Sequence, residues 1–113
     1  MSTNPASAPD HTLTIEQSVS PKGTLTLVCR GRITLETASQ FRSEIQALTP
    51  KHKLLMADLG GVDSVDSEGL GSILGTYISA KSDGCDLMLV NVNSRVKDLL
   101  NITRLESVFE NKK

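Results

Sequence analysis

The sequence predicts a single α/β domain: a mixed β-sheet of four to five strands, with three to four α-helices mainly on one of its faces. Its 113 residues suit one domain and leave little room for a second. Segments in which apolar and polar residues alternate come first, and apolar runs typical of strands then alternate with segments of helical periodicity. This order indicates right-handed crossovers onto one sheet. By composition, residues 1–10 are expected to form a disordered leader and residues 11–113 the domain.

A β-hairpin is predicted to open the domain. Residues 13–16 and 24–30 alternate between apolar and polar side chains, as half-buried strands do. Between them, residues 20–23 read Ser-Pro-Lys-Gly, a composition typical of a turn. Gly31 is expected to end the hairpin.

The first helix is predicted to follow, with Thr34 as its N-cap and Pro50 as its stop. Its buried face is predicted to consist of Leu35, Ala38, Phe41, Ile45 and Leu48. The run at residues 54–57 is apolar without polar alternation, which predicts a central strand covered on both faces. Asp58 is expected to close that strand, and the glycine pair at 60–61 to begin a loop.

The second helix is predicted to begin at Ser67 and to end at the Asp-Gly pair at 83–84. Its buried stripe is predicted to consist of Leu70, Ile73, Leu74, Tyr77 and Ile78. Residues 87–92 predict another apolar strand, and either residue of the Asn-Ser pair at 93–94 is expected to cap a short third helix. The Val-Phe pair at 108–109 is expected to form a last edge strand.

The composition excludes several classes of function. A net charge of −1 and a pI near 6.1 provide no field for nucleic acid or anionic lipid, and aromatic residues make up only 3% of the chain. The longest apolar stretches fall far short of the roughly 20 residues that span a bilayer, and no apolar signal segment follows Met1. Cys29 and Cys85 are interpreted as ordinary small residues of a reduced protein. We therefore expect a cytoplasmic protein without a nucleic-acid or membrane partner.

No pattern in the sequence indicates catalysis. The two histidines, His11 and His52, have no Ser, Cys or carboxylate partner at the spacing of a nucleophile and its base. Phosphate-binding loops, dinucleotide fingerprints and paired-cysteine metal motifs are absent from the sequence. Four carboxylates could together hold Mg²⁺, although such acidic loops are more often simply solvated: Asp58, Asp63, Asp66 and Glu68. We expect no catalytic residue, no resident metal and no cofactor.

The most informative stretch is residues 58–71, which runs from a buried strand through a glycine turn into the helix that begins at Ser67. A serine at a helix start is ordinarily an N-cap, and the alternative is a regulatory role. Gly69, Gly71 and Gly75 each cost a helix about 1 kcal/mol relative to alanine. Their presence favours either close packing of helix on sheet or access for another protein's backbone near Ser67. The residues alone leave these alternatives open.

Residues 58–71 resemble the signature of STAS domains, the small fold shared by anti-sigma factor antagonists and the tails of sulfate transporters. Within this stretch, residues 65–71 (Val-Asp-Ser-Glu-Gly-Leu-Gly) are similar to the family's Asp-Ser-x-Gly-Leu-Gly phosphorylation motif. Residues 31–38 resemble the family's turn into its first helix, and residues 90–109 resemble its fourth strand, third helix and following strand. The likeness covers everything except the leader.

This resemblance implies partner switching, a form of signal transduction that regulates transcription. In such systems an anti-sigma factor, itself a serine kinase of the histidine-kinase ATPase type, holds a sigma factor inactive until the unphosphorylated antagonist binds that kinase. The resemblance assigns phosphorylation to Ser67 and its reversal to a phosphatase, and it makes the chain a substrate and ligand rather than an enzyme. It places partner binding at Arg32, Thr34, Asp66, Glu68, Gly69, Leu70 and Gly71.

Two positions depart from the family pattern. Many members have Ser or Thr in place of Glu68, and many have an acidic residue in place of Thr34.

Two other functions remain as alternatives: a STAS subunit of a lipid-transport ABC complex, which binds an ATPase without needing phosphorylation, and a scaffold-type STAS protein of a large signalling particle. The pair formed by Asp66 and Ser67 favours the antagonist over the scaffold.

Overall fold

The computed structural model describes residues 12–102 as one four-stranded sheet with helices packed against it. In chain order the elements are β1 (Leu13–Val19), β2 (Leu25–Ile33), α1 (Ala38–Gln46), a short 3-10 helix (Thr49–Lys51), β3 (Leu54–Val65), α2 (Ser67–Ser82), β4 (Asp86–Val90) and α3 (Ser94–Ile102). The strand order is β1-β2-β3-β4, with β1 antiparallel to β2 and the other pairs parallel. The predicted mixed α/β architecture, with β3 in the interior of the sheet, is therefore confirmed.

The predicted hairpin is present, but β2 continues beyond Gly31 instead of ending there. Gly31 has a φ of +112°, a conformation that favours glycine. A Cβ at this position would overlap the carbonyl oxygen of Thr12. Because Gly31 lacks a side chain, β1 can approach closely and β2 can run on to Ile33.

One face of the sheet carries the hydrophobic core. Alternate residues of the three parallel strands are buried there: Leu25, Leu27, Cys29, Leu55, Ala57, Leu59, Leu87 and Leu89. The helices α1 and α2 contribute Phe41, Ile45, Ile73 and Ala80 to the same cluster. Right-handed crossovers between neighbouring parallel strands put both helices on this face. In α3, Val96 is fully buried, and this helix contacts β3.

Two predictions about β3 were wrong. Leu54 is 38% exposed and Met56 is half-buried, so the strand is not covered on both faces; α1 and α2 cover only one of them. The strand also continues past Asp58 and the glycine pair at 60–61 as far as Val65. It does so because β2 continues beside it, with two register shifts that accommodate the irregular segment.

The first helix begins later than predicted. It starts at Ala38, and the four residues before it form a turn, so Leu35 is exposed and not part of the buried face. The helix ends at Gln46, and Pro50 lies in the 3-10 helix. The remaining predicted core residues of this segment are buried or partly buried, as expected: Ala38, Phe41, Ile45 and Leu48.

The bounds of α2 agree with the prediction, but its buried side is rotated. Ile78 is 66% exposed, which contradicts its assignment to the core. The buried side is formed by small and polar residues together with one isoleucine: Gly69, Ser72, Ile73, Thr76 and Ala80. Such small residues let the helix lie close to the sheet. The prediction placed only large apolar residues on the buried side and therefore missed this packing.

The last described elements follow the sequence closely. β4 ends at Val90, shortly before the predicted residue 92, and Asn91 then adopts a positive φ of 57°. The Asn93 side chain caps α3 by accepting a hydrogen bond from the Val96 N–H at 2.9 Å, which confirms one of the two predicted caps. The leader at 1–10 and the edge strand expected at 108–109 lie outside the described residues. Within 12–102, no helix has the length and apolar character required to cross a bilayer.

Candidate functional site

The site lies where β2 and β3 end side by side. Ile33 pairs with Val65 at the last position of the parallel ladder, and the Asp66 N–H then donates to the Ile33 carbonyl at 3.4 Å. The chain turns at residues 34–37 after β2 and enters α2 after β3. The topology therefore brings together two segments that are more than thirty residues apart in the sequence, and both contain predicted site residues.

Gly69 brings the first turn of α2 against the end of β2. A Cβ on this residue would overlap the Ile33 carbonyl group, with the carbonyl carbon only 2.5 Å away. At Gly71 and Gly75, by contrast, an added Cβ would meet nothing within 4 Å. The sequence left two explanations for these glycines, close packing of the helix on the sheet and access for another protein's backbone. Close packing explains Gly69 but does not explain Gly71 or Gly75.

The Asp66 carboxylate connects the two segments. One oxygen, Oδ1, accepts a hydrogen bond from the Gly69 N–H at 2.8 Å and caps α2, while Oδ2 accepts one from the Leu35 N–H at 3.1 Å. The hydrogen bond from Gly69 is the main cause of a pKa that lies below the ordinary value of 3.8, and the bond from Leu35 acts in the same direction. Asp66 is therefore an ionised cap near neutral pH, and it also holds the neighbouring turn.

Ser67 is the first residue of α2, and its side chain is exposed. Its hydroxyl makes no hydrogen bond with any residue in the described range 12–102. The expectation that Ser67 caps the helix was wrong, because the cap is Asp66. The nearby Ser64 follows the glycine pair at 60–61, where a loop was expected to begin, but it lies half-buried in β3 and pairs with Arg32. Exposure at a helix N-terminus thus distinguishes Ser67 from Ser64.

The turn before α1 is fixed by its threonines. The Thr37 hydroxyl donates to the Arg32 carbonyl at 2.7 Å and accepts from the Thr34 N–H at 2.9 Å. Thr34 was predicted to cap the helix, but it is buried in the turn, and its hydroxyl donates to Glu36 at 3.1 Å. The other predicted site residues differ in exposure: Glu68 and Gly71 are exposed, Arg32 and Leu70 half-buried, and Gly69 buried.

Comparison with known proteins decides the family. The sequence model of the STAS domain matches residues 16–113. The anti-sigma-B factor antagonist of Bacillus subtilis (strain 168) is 31% identical to this chain over 80 residues, which are 71% of this chain and 73% of that protein. The chain belongs to the STAS family of anti-sigma factor antagonists.

Solved structures share the fold of this STAS domain. An anti-sigma factor antagonist from Mycobacterium paratuberculosis superposes with a TM-score of 0.75 at 21% identity, over 88% of this chain and 84% of its own. The antagonist SpoIIAA in its unphosphorylated form gives a TM-score of 0.70 at 15% identity, over 88% and 89%. The Bacillus SpoIIAA in its phosphorylated form gives 0.67 at 14% identity, over 88% and 92%.

The other side chains of this STAS domain that could carry chemistry, a carboxylate and a thiol, are held in the fold by hydrogen bonds or by burial. The Asp58 carboxylate accepts hydrogen bonds from the Gly60 N–H at 2.9 Å and from the Asn91 amide at 3.1 Å. Burial, followed by the nearby negative charge of Asp58, raises the pKa of the Cys29 thiol to about 12, so this thiol is not a ready nucleophile. In the described part of the chain, no group of three or more Asp, Glu, His or Cys residues is arranged to hold a metal ion.

Sequence reasoning missed Leu35 as a residue of this site. Its spacing to Ala38 matched a helical face, which favoured a place in the core. The structure instead leaves the side chain 65% exposed in the turn that Asp66 holds. The one available signal was the pair of threonines around it, Thr34 and Thr37, since threonine commonly bonds the backbone in turns next to helices.

Proposed function

We propose that this STAS domain binds an anti-sigma factor that is also a serine kinase of the histidine-kinase ATPase type, and that phosphorylation of Ser67 releases it. The observation that carries the proposal is the exposed, unbonded hydroxyl of Ser67 at the N-terminus of α2. A kinase can reach this oxygen without breaking any hydrogen bond among residues 12–102. Because Asp66 provides the cap, modification of Ser67 leaves the start of the helix intact.

A phosphate at Ser67 suits the fold and disfavours an interface. Free N–H groups and the positive end of the helix dipole stabilise an anion at this place. The modification adds about 1.5 to 2 negative charges beside Asp66 and Glu68. A partner that covers the site without compensating groups must desolvate those charges, which costs several kcal/mol. Phosphorylation then separates the two proteins while the domain remains folded.

The relatives support this proposal by what their names state. One is an antagonist of anti-sigma-B factor, and SpoIIAA is an antagonist for which both an unphosphorylated and a phosphorylated form have been solved. We assign to this chain the same kind of partner, a phosphatase that resets Ser67, and a place in the cytoplasm, where sigma factors act. As substrate and ligand, the chain needs no catalytic group of its own.

The partner surface in this proposal combines the start of α2 with the end of β2 and its turn. It includes Glu68, Leu70 and Gly71 in the first two turns of α2, Arg32 near the end of β2 and Thr34 in the turn that follows, and the Asp66 carboxylate connects the two segments. Gly71 leaves the helix backbone uncovered, since its missing side chain faces open space. Gly69 contributes indirectly, because its packing on Ile33 brings the two segments together.

The test is the affinity of the unmodified chain and of charge variants for the anti-sigma factor kinases of the same genome. Ser67→Asp should weaken binding tenfold or more, about 1.4 kcal/mol, whereas Ser67→Ala should bind as the wild type does. Ser94 provides the matched control, because it is the exposed first residue of α3 and also follows a side-chain cap. Ser94→Asp should leave the affinity unchanged.

Two results would contradict the proposal. If Ser67→Asp binds as tightly as the wild type, the added charge does not act as a switch, and the charge already present at Glu68 is the natural reason. If the chain captures a transporter ATPase and no small kinase from a native lysate, it is a subunit of a transport complex.

A further inference from the structure

Leu35 is an exposed leucine in a domain that buries most of the large aliphatic residues of its described part. Four large apolar side chains of the described residues are substantially exposed: Val19, Leu35, Leu54 and Ile78. Single exposed apolar residues are common on protein surfaces and require no explanation by themselves. Leu35 differs from the other three because it lies in the turn that Asp66, the neighbour of Ser67, holds in place.

The backbone that carries Leu35 is firmly held although its side chain packs on little. The Leu35 N–H donates to Asp66 Oδ2 at 3.1 Å. Two further bonds span it: the N–H groups of Thr37 and Ala38, which follow Leu35, both donate to the carbonyl of Thr34, which precedes it, at 2.9 and 2.7 Å. The Thr37 hydroxyl closes the turn against Arg32 at 2.7 Å. The position of Leu35 is thus set before any partner arrives, which lowers the entropy lost on binding.

We propose that Leu35 is the apolar anchor of the partner surface and that Asp66 is its positioning residue. This inference rests on the proposed function and adds a specific contact to it. The partner is a kinase whose surface offers an apolar pocket of leucine size next to the place that meets Ser67. Anchors of this kind, buried in a pocket and surrounded by weaker contacts that exclude water, account for most of the affinity in typical interfaces.

The arrangement also links the anchor to the phosphoacceptor. Asp66 uses one carboxylate oxygen for the start of α2 and the other for the backbone of Leu35, so the backbone segments that carry Leu35 and Ser67 are held together. In this proposal a partner that buries Leu35 also covers Ser67, because Asp66 holds the Leu35 turn at the start of α2. A phosphate on Ser67 then lies at the edge of the contact made by Leu35, which in this proposal provides most of the binding free energy.

The test compares three variants with the wild type by thermal unfolding and by affinity for the kinase. Leu35→Ala should weaken binding roughly tenfold or more, with an unchanged melting temperature because the side chain is exposed in the free protein. Leu35→Met should retain most of the affinity, since it keeps the apolar volume. Val19→Ala is the matched control: Val19 is also 65% exposed but pairs with Leu25, at the opposite end of β2 from the site.

The role of Asp66 is tested by a double-mutant cycle. Asn is also a good N-cap, but its side chain has an NH₂ donor in place of one of the two carboxylate oxygens that accept from Gly69 and Leu35, so one of these two bonds is lost. In the Asp66→Asn background, Leu35→Ala should cost clearly less affinity than in the wild type, because the anchor is no longer held. A purely structural role of Asp66 predicts additive losses instead.

The outcomes separate this inference from the proposed function. If the wild type binds the kinase and Leu35→Ala binds equally well, the anchor is refuted and the proposed function stands. If Val19→Ala weakens binding as much as Leu35→Ala, the effect is not specific to the turn and the anchor is again refuted. If the unmodified wild type binds no kinase at all, the proposed function fails and this inference fails with it.

Discussion

Alanine at Gly69 and at Gly71 should have opposite effects on stability, although both glycines lie in the first two turns of α2. A Cβ at Gly69 would overlap the carbonyl of Ile33. The obstacle is backbone of an interior strand and not the end of a flexible side chain, so α2 must shift away from β2. At Gly71 a Cβ meets nothing within 4 Å, so alanine there only removes the helix penalty of glycine.

The magnitudes follow from these two environments. Overpacking of a tight contact costs about 1–3 kcal/mol, and more where the backbone cannot move. Glycine to alanine at an unobstructed helical position stabilises by about 0.4–1 kcal/mol. For a domain of this size, each kcal/mol changes the melting temperature by about 4–8 °C. Gly69→Ala should therefore lower the melting temperature by at least about 4 °C, and Gly71→Ala should raise it by a few degrees.

Circular dichroism melts and urea unfolding of the two variants beside the wild type would measure both effects. A Gly69→Ala variant that is as stable as the wild type would refute the close contact between α2 and β2. A Gly71→Ala variant that is destabilised by 1 kcal/mol or more would show that Gly71 is also packed, in contradiction to the open space around it.

Three further predictions concern the cap, the interface and the core. The pKa of Asp66 is lower in the folded state, so its charged form stabilises the fold above about pH 4, and this contribution is lost as the pH falls further. The difference in unfolding free energy between the wild type and Asp66→Asn, measured in urea, should therefore shrink below about pH 4. A difference that does not depend on pH would contradict the ionised cap. Gly71→Leu should weaken kinase binding with little change in melting temperature, and a parallel loss of both would make the glycine a packing device. Leu55→Asp should abolish soluble expression because it buries an unpaired charge, whereas Leu54→Asp, on the more exposed face, should be tolerated; equal behaviour of the two would disprove the one-sided core.

The order of elements could be predicted from the sequence because it depends on local patterns. Alternation identified the hairpin, an apolar run identified β3, and turn residues at 83–84 and 93–94 marked the end of α2 and the start of α3. These signals depend on residues a few positions apart. The strand bounds that were wrong at Gly31 and around Asp58 depend on how β2 and β3 pair across the sheet, which no local pattern contains.

The site was less predictable, for a related physical reason. The sequence indicated Ser67 and the glycines near it, but it could not distinguish Gly69, which contacts Ile33, from Gly71, which faces open space. The sequence could not predict that Asp66 caps α2 or that the Leu35 side chain is exposed. Both features depend on the Asp66 carboxylate, which bonds a residue 31 positions away. Such contacts exist only after β2 and β3 have paired.

The central claim is that Ser67 is the switch, and intact-mass measurement tests it most directly. The unmodified chain would be incubated with ATP and each candidate anti-sigma factor kinase of the same genome, and the product mapped by fragmentation. We expect the mass of one phosphoryl group, on Ser67, and no modification of Ser67→Ala, whose stability should equal that of the wild type because Asp66 caps the helix. Labelling of Ser64 or Ser94 in place of Ser67, or an unchanged mass with every kinase that binds the chain, would contradict the account.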